Sequence, residues 1–155
     1  MASERHAGGV VVVGVDDSPG AARALDWAVR EAAAHGWDVH AVLAWELPAV
    51  GALGLDPLPA DVTAVAEGAS AVLERIVVGA KPLADELGVT VKGEAVHGHP
   101  RHTLLDLAAD ADLLVVGSRG RGGFAGLLLG SVSSYCAKHA PVPVVVVPAP
   151  PAEGS

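Results

Sequence analysis

Cysteine is nearly absent: Cys136 is the single one in 155 residues. One thiol cannot close an internal disulfide, and no CxxC pair offers a zinc site. A reducing, cytoplasmic setting is therefore expected. Aromatic residues make up only 3% of the chain. Trp27, Trp37 and Trp45 are accordingly expected to pack or to rim the surface rather than to form a stacking platform for bases. Basic residues are also scarce, with 10 Lys and Arg against 18 Asp and Glu and a formal net charge of −8. The isoelectric point is about 5.2. A nucleic-acid binder usually shows a basic patch or a high isoelectric point, so this balance weighs against DNA, RNA or an anionic membrane as the main partner. It leaves room for one bound nucleotide, because a single loop can be locally positive. No stretch reaches the roughly 18 apolar residues of a membrane span. The opening MASERHAGG lacks the apolar core of a signal peptide.

What remains is a chain that is 51% hydrophobic and rich in glycine, long enough for one domain with a sizeable core. Residues 10–15 (VVVVGV) form an unbroken β-branched run, which fits a strand buried on both faces of a parallel sheet. Ser18 then Pro19 reads as a helix cap and first helical position. A helix is expected over 21–34, with Ala24, Leu25, Ala28, Val29 and Ala32 inward and Gly36 as its stop. A second strand follows at 39–45. Residues 46–60 carry three prolines and two glycines and read as a long loop. Asp61 is expected to cap a helix reaching Leu87, with Val65, Ala69, Val72, Leu73, Ile76 and Val77 as its buried stripe. Pro82 should kink or break it, and Gly88 should end it. Residues 89–96 alternate enough for a strand near the sheet edge. A third helix is expected over 101–109 (Leu104, Leu105 and Ala108 inward), a fourth strand over 112–116, a last helix over 132–139 and a fifth strand over Val144–Val147. Residues 1–8 and 149–155 are expected to be disordered, flanking one domain over 9–148. Alternating strands and helices imply a parallel sheet, right-handed crossovers and helices on both faces. Ligands of such sheets sit beyond the C-terminal strand ends, where the strand order reverses.

Residues 113–131 (LLVVGSRGRGGFAGLLLGS) organise the rest. A strand ends at Gly117, a loop with Gly120, Gly122, Gly123, Gly126, Arg119 and Arg121 follows, and Gly130-Ser131 opens a helix. Glycines let the backbone approach an anion and take positive φ; free N–H groups and the helix dipole then favour phosphate. The bland alternative is a flexible turn, but five glycines in ten residues exceed what a turn needs. The P-loop ending GK[ST] is absent, and so is GxGxxG after the first strand. Asp16, at the end of the first strand, has two readings. It can hold a divalent ion such as Mg²⁺ bridging phosphates, which takes one or two carboxylates, or contact a ribose. It can instead cap the first helix, a role Asp17 also suits.

Gly117, Gly120, Gly130 and Ser131 follow the spacing Gly-x2-Gly-x9-Gly-Ser. With the strand before it, Asp16 and the final valine strand, this spacing resembles the nucleotide-binding members of the universal stress protein family. The likeness spans nearly the whole chain. It implies a doubly wound α/β domain of the adenine nucleotide alpha hydrolase-like kind, five parallel strands in the order 3-2-1-4-5, with ATP or another adenine nucleotide as ligand. By position, Gly14, Val15 and Asp16 would line the nucleotide. The Ala44 backbone would meet adenine, and Val116 and Gly117 would border the ribose. Gly120, Gly130, Ser131 and Val132 would hold phosphates, with Arg119 adding local positive charge. The resemblance also implies a homodimer through Val144–Val147. For that strand the alternative is ordinary core, and both readings are compatible.

Other constellations carry less. His97, His99 and His102 cluster around Pro100, but no cysteine or nearby carboxylate completes a tetrahedral metal set, so water-exposed turn histidines are expected. Cys136 reads as a small buried hydrophobe. Asp106, Asp110 and Asp112 read as a solvated acidic rim. No GxSxG or nucleophile–base set is present. The leading expectation is a cytoplasmic, homodimeric, ATP-dependent stress sensor or regulator acting on an unknown protein partner. The competing ones are slow ATP hydrolysis, for which Asp16, Asp17, His97 and His99 are the available groups, and an interaction module that binds no nucleotide.

Overall fold

The computed structural model describes residues 8–47, 58–119 and 129–149. Along the chain run β1 (Val10–Gly14), α1 (Pro19–His35), β2 (Asp38–Trp45), α2 (Pro59–Leu87), β3 (Val91–His97), α3 (Pro100–Ala108), β4 (Leu113–Gly117), α4 (Ser131–His139) and β5 (Val144–Val147). The five strands form one sheet in the order β3-β2-β1-β4-β5, and every pairing is parallel. The expected fold class and strand order are both present.

The valine runs explain the layering. In β1, Val11 and Val13 pack with Leu25, Ala28 and Val29 of α1 and Leu73 of α2 on one face. Val12 points the other way, to Leu104, Leu114 and Cys136 on the α3/α4 face. Both faces are covered, so the strand needs no polar alternation. Leu25, Leu114, Val11, Val12 and Val13 are almost fully buried, each worth about 1.5–3 kcal/mol of transfer free energy. All five expected inward residues of α1 are buried. On α3 the stripe is shifted: Thr103 joins Leu104 and Ala108 inside, and Leu105 is half-buried.

Two glycines end helices as expected. Gly36 and Gly88 both adopt φ of 70°, the left-handed conformation that costs a side chain steric strain. The stop at Gly88 extends one residue further. The N–H of Val89 donates to the Ala84 carbonyl at 2.9 Å, so Val89 belongs to the helix end and β3 begins at Val91. That strand is an outer one, as its alternation suggests.

Several local expectations fail, each for a physical reason. Helix α2 begins at Pro59 with Leu58 as its cap, not at Asp61. Proline is well suited to a first helical position, having no N–H to leave unpaired. Asp61 instead lies in the first turn, where its charge suits the helix dipole. Pro82 neither breaks nor ends α2, which continues to Leu87. Val78, whose carbonyl would have bonded residue 82, is 59% exposed, so water can satisfy that carbonyl. β1 ends at Gly14 rather than Val15, although the Val15 N–H still donates to the Val42 carbonyl at 2.9 Å. Strand β4 runs Leu113–Gly117, one residue later than expected, with Asp112 just before it bonded to Val10 of β1. The expectations for residues 1–7 and 150–155, and most of the long loop, lie outside the described residues.

Candidate functional site

Parallel register brings the sequence-predicted residues to one edge of the sheet. Val13 of β1 lies beside Val115 of β4, so one step of the pleat puts Val15 level with Gly117. On the other side Gly14 lies beside Val42. In β2, Val42 accepts from Val15 while Trp45 accepts from Gly98 on the β3 side. Backbone groups alternate between neighbours along a strand, so Ala44 turns its N–H and C=O to the β1 side, past the point where β1 ends. The C-terminal ends of β1, β2 and β4 thus frame a crevice at the place where the strand order reverses.

Helix α1 approaches this crevice from one side. A β-carbon added at Gly117 would lie 3.7 Å from the Gly20 carbonyl oxygen and 3.6 Å from that of Arg119. These are ordinary contact distances, so the β4 end leans on the first turn of α1, and a longer side chain at 117 would occupy the gap. Gly117 does not take positive φ; among the described glycines only Gly36 and Gly88 do. Its value is therefore its small size, a correction to the conformational argument. Gly14 is tight for another reason. A β-carbon there would sit 2.7 Å from Leu104 of α3, so its small size serves helix packing.

Helix α4 enters from the other side. Gly130 is its cap, without a side-chain hydrogen bond, and Ser131 is its first residue. Ser131 is exposed and Val132 half-buried. The first amides of a helix have no intrahelical acceptor, and here no capping side chain takes them. Helix α1 also begins without a side-chain cap at Ser18. Asp16 is half-buried, and its Oδ1 accepts the Ser18 N–H at 2.9 Å, so part of its expected capping role is realised one turn early. Gly120, Arg121, Gly122, Gly123 and Gly126 lie outside the described residues.

A cleft of about 360 Å³ borders Asp16, but on the α1/α2 flank rather than beside Gly117. Asp17, Ser18, Asp26, Arg75 and Ile76 line it.

Sequence reasoning missed three residues. Ser118 is 9% exposed; its carbonyl accepts the Gly130 N–H at 2.6 Å and the Ser133 hydroxyl at 2.9 Å. Ser133 is itself buried. Asp112 is not merely a solvated rim residue: its Oδ2 accepts the Val10 N–H at 2.9 Å. No local pattern announces these contacts, since each joins residues far apart in sequence. Of the three histidines, His99 and His102 meet with ring centroids 5.5 Å apart, and among the described residues they form part of no group that could hold a metal ion. His97 stacks on Trp45 with ring centroids 4.4 Å apart, His99 Nδ1 accepts the Arg101 N–H at 3.3 Å, and His102 meets Tyr135 edge-on. Trp27, Trp37 and Trp45 all pack partly buried against the core, as expected. Cys136 is fully buried, and burial pushes its thiol pKa up, the profile of an inert hydrophobe.

No helix among the described residues is long and apolar enough to cross a membrane. The profile of the universal stress protein family matches residues 9–148. A universal stress protein of Mycolicibacterium smegmatis is 36% identical over 141 residues, covering 88% of this chain and 45% of that protein. The chain thus spans about half the length of the curated relatives it matches. Among solved structures, a universal stress protein UspA from Lactobacillus plantarum superposes with a TM-score of 0.69 at 25% identity, covering 90% of this chain and 97% of that one. A universal stress protein solved in complex with cAMP superposes with a TM-score of 0.59 at 30% identity, covering 94% and 100%. With the glycine spacing, the sheet order and a family match over nearly its whole length, the chain belongs to the universal stress protein family.

Proposed function

We propose that this chain binds an adenine nucleotide, ATP with Mg²⁺, at the C-terminal ends of β1, β2 and β4, and acts as a nucleotide-dependent regulator in the cytoplasm. One observation carries the reading: Gly130, which opens α4, donates its N–H to the carbonyl of Ser118, the residue after Gly117, at 2.6 Å, so the two ends of the glycine spacing lie side by side. The related protein solved with cAMP supports an adenine nucleotide as the ligand class.

The residues divide the work by position. The Ala44 backbone, facing the β1 side, offers a donor and an acceptor to an adenine edge. Gly14, Val15, Val116 and Gly117 give a smooth wall for the sugar. The Ser131 and Val132 amides and the Ser131 hydroxyl donate to phosphate oxygens, assisted by the α4 dipole at about 0.3–1 kcal/mol, while Gly130, whose own N–H is spent on the Ser118 carbonyl, brings its bare backbone close to them. Gly120 and Arg119 complete the phosphate side. Asp16 fits a role as a metal ligand, since a carboxylate beside phosphates is what Mg²⁺ takes; the ion would neutralise phosphate charge and fix its geometry.

The second part of the proposal is a homodimer through β5. The two outer strands differ in kind. β3 carries Lys92 and Glu94, charges that discourage pairing, whereas β5 is four valines. An apolar outer strand without a charge invites another strand. The regulated protein partner would read the dimer surface.

Titration calorimetry of nucleotide-free protein with ATP and Mg²⁺ tests the first part. Saturable binding is expected, and mass spectrometry of the purified protein should find an adenine nucleotide. Absence of heat up to millimolar ATP defeats it. Sedimentation of the wild type against a variant with Val145→Lys tests the second; a monomeric wild type defeats it.

A further inference from the structure

Ser118, the residue after β4, is tied to both α4 and β5. Its N–H donates to the Val147 carbonyl of β5 at 2.8 Å, and its carbonyl accepts the Gly130 N–H at the start of α4 at 2.6 Å. The Ser133 hydroxyl donates to that same carbonyl at 2.9 Å. Finally, the Ser118 Oγ accepts the Ala149 N–H, just past β5, at 3.0 Å. Ser118 is not one of the four residues of the glycine spacing, yet it closes the base of the loop that carries them.

Only part of this arrangement is needed to hold the loop together. The backbone bonds join β4 to α4 and to β5 with any residue at 118. The hydroxyl adds one contact, and that contact reaches outward to the end of the outer strand. We infer that Ser118 is a positioning residue that transmits occupancy of the nucleotide site to the β5 end, and through it to whatever strand pairs there. This inference rests on the nucleotide-binding reading above.

The physical element is local and has two states. Pro148 offers no N–H, so beyond the Val147 carbonyl the chain end is held to β4 at Ala149 through the Ser118 hydroxyl. The end of a strand opens far more readily than its middle. Docked, Ala149 donates to Ser118; frayed, it donates to water. A ligand bound to the Ser131 and Val132 amides fixes the start of α4, keeps the Gly130 N–H on the Ser118 carbonyl and so stiffens the Ser118 peptide. A stiffer Ser118 holds its hydroxyl in the docked geometry at lower entropic cost, which is coupling through order rather than displacement. By reciprocity, a partner strand that docks the β5 end tightens nucleotide binding by the same factor.

Amide hydrogen exchange with and without ATP and Mg²⁺ tests this on the full chain. In the wild type, nucleotide should slow exchange in the segment 113–135 and, by about 5-fold, in the segment 144–149. Ser118→Ala should keep the first response and lose the second. Ala149→Pro removes the donor while leaving Ser118 intact, and should do the same; Ala149→Gly keeps the N–H and should behave as wild type. A wild-type response confined to 113–135 overturns the inference and leaves nucleotide binding standing. So does a 144–149 response that survives both Ser118→Ala and Ala149→Pro. Silence in both segments overturns nucleotide binding, and the inference with it.

Discussion

The two ends of the sheet are built differently. At the N-terminal end of the strands, chain reversals are closed by the chain itself. Gly36 and Gly88 turn α1 and α2 off in the left-handed conformation, with their N–H groups bonded to the preceding turns. Asp112 binds Val10 twice, accepting its N–H through Oδ2 and donating its own N–H to its carbonyl at 2.9 Å. At the C-terminal end, α1, α2 and α4 begin without side-chain caps, while α3, away from the β1/β4 crevice, has His99 as its cap. An end that satisfies its own polar groups stabilises the fold. At α1 and α2 the chain still spends its first-turn donors, Ala21 N–H on Ser18 and Asp61 N–H on Leu58; at α4 the missing cap gives up about 0.5–2 kcal/mol and keeps the Ser131 and Val132 amides for a ligand.

Substitutions can break this comparison. The largest effect is expected from Gly117→Val, which fills the gap between β4 and α1. ATP affinity by calorimetry should fall at least about 10-fold, or about 1.4 kcal/mol, with the melting temperature close to wild type. Loss of stability matching the loss of affinity would mean the two ends are not separable.

Gly88→Ala probes the opposite end. A side chain at φ of 70° costs roughly 1–2 kcal/mol, and urea unfolding should report it with ATP affinity unchanged. Asp112→Ala should cost less, about 0.5–1.5 kcal/mol, because the Val10 amide is exposed enough to find water. An altered ATP affinity in either variant would sink the division of labour.

The smallest effect concerns pH. Burial raises the Cys136 thiol pKa in the folded protein, so above the ordinary thiol pKa the unfolded chain binds fewer protons than the folded one. The sign is then fixed: this group's contribution is fully present at neutral pH and is lost as pH rises through that range. Cys136→Ala should flatten the alkaline fall in stability. The thiol should also resist alkylation until the protein unfolds, at both ends' native stability.

Legibility followed the range of the interaction. The valine runs, the helix stops at Gly36 and Gly88 and the glycine spacing depend on neighbours a few residues away, and all were readable. Asp112 reads locally as a rim residue because its partner, Val10, lies 102 positions away. Pro82 reads as a kink or a break in α2, which runs on to Leu87, because the local rule counts the lost N–H and not the solvent around Val78. Ser118 had no signal at all, since its role exists only where β4, α4 and β5 converge.

By itself the amino-acid order determined the alternation of strands and helices, the burial of both sheet faces and the bare backbone after β4, because periodicity, β-branching and glycine act within a turn or a strand. Tertiary structure alone decided which donors are spent and which are kept. Hydrogen bonds between distant segments form only once the strands are in register, and that register placed Ala44 toward the crevice, drew Asp112 to Val10 and set Ser118 between α4 and β5.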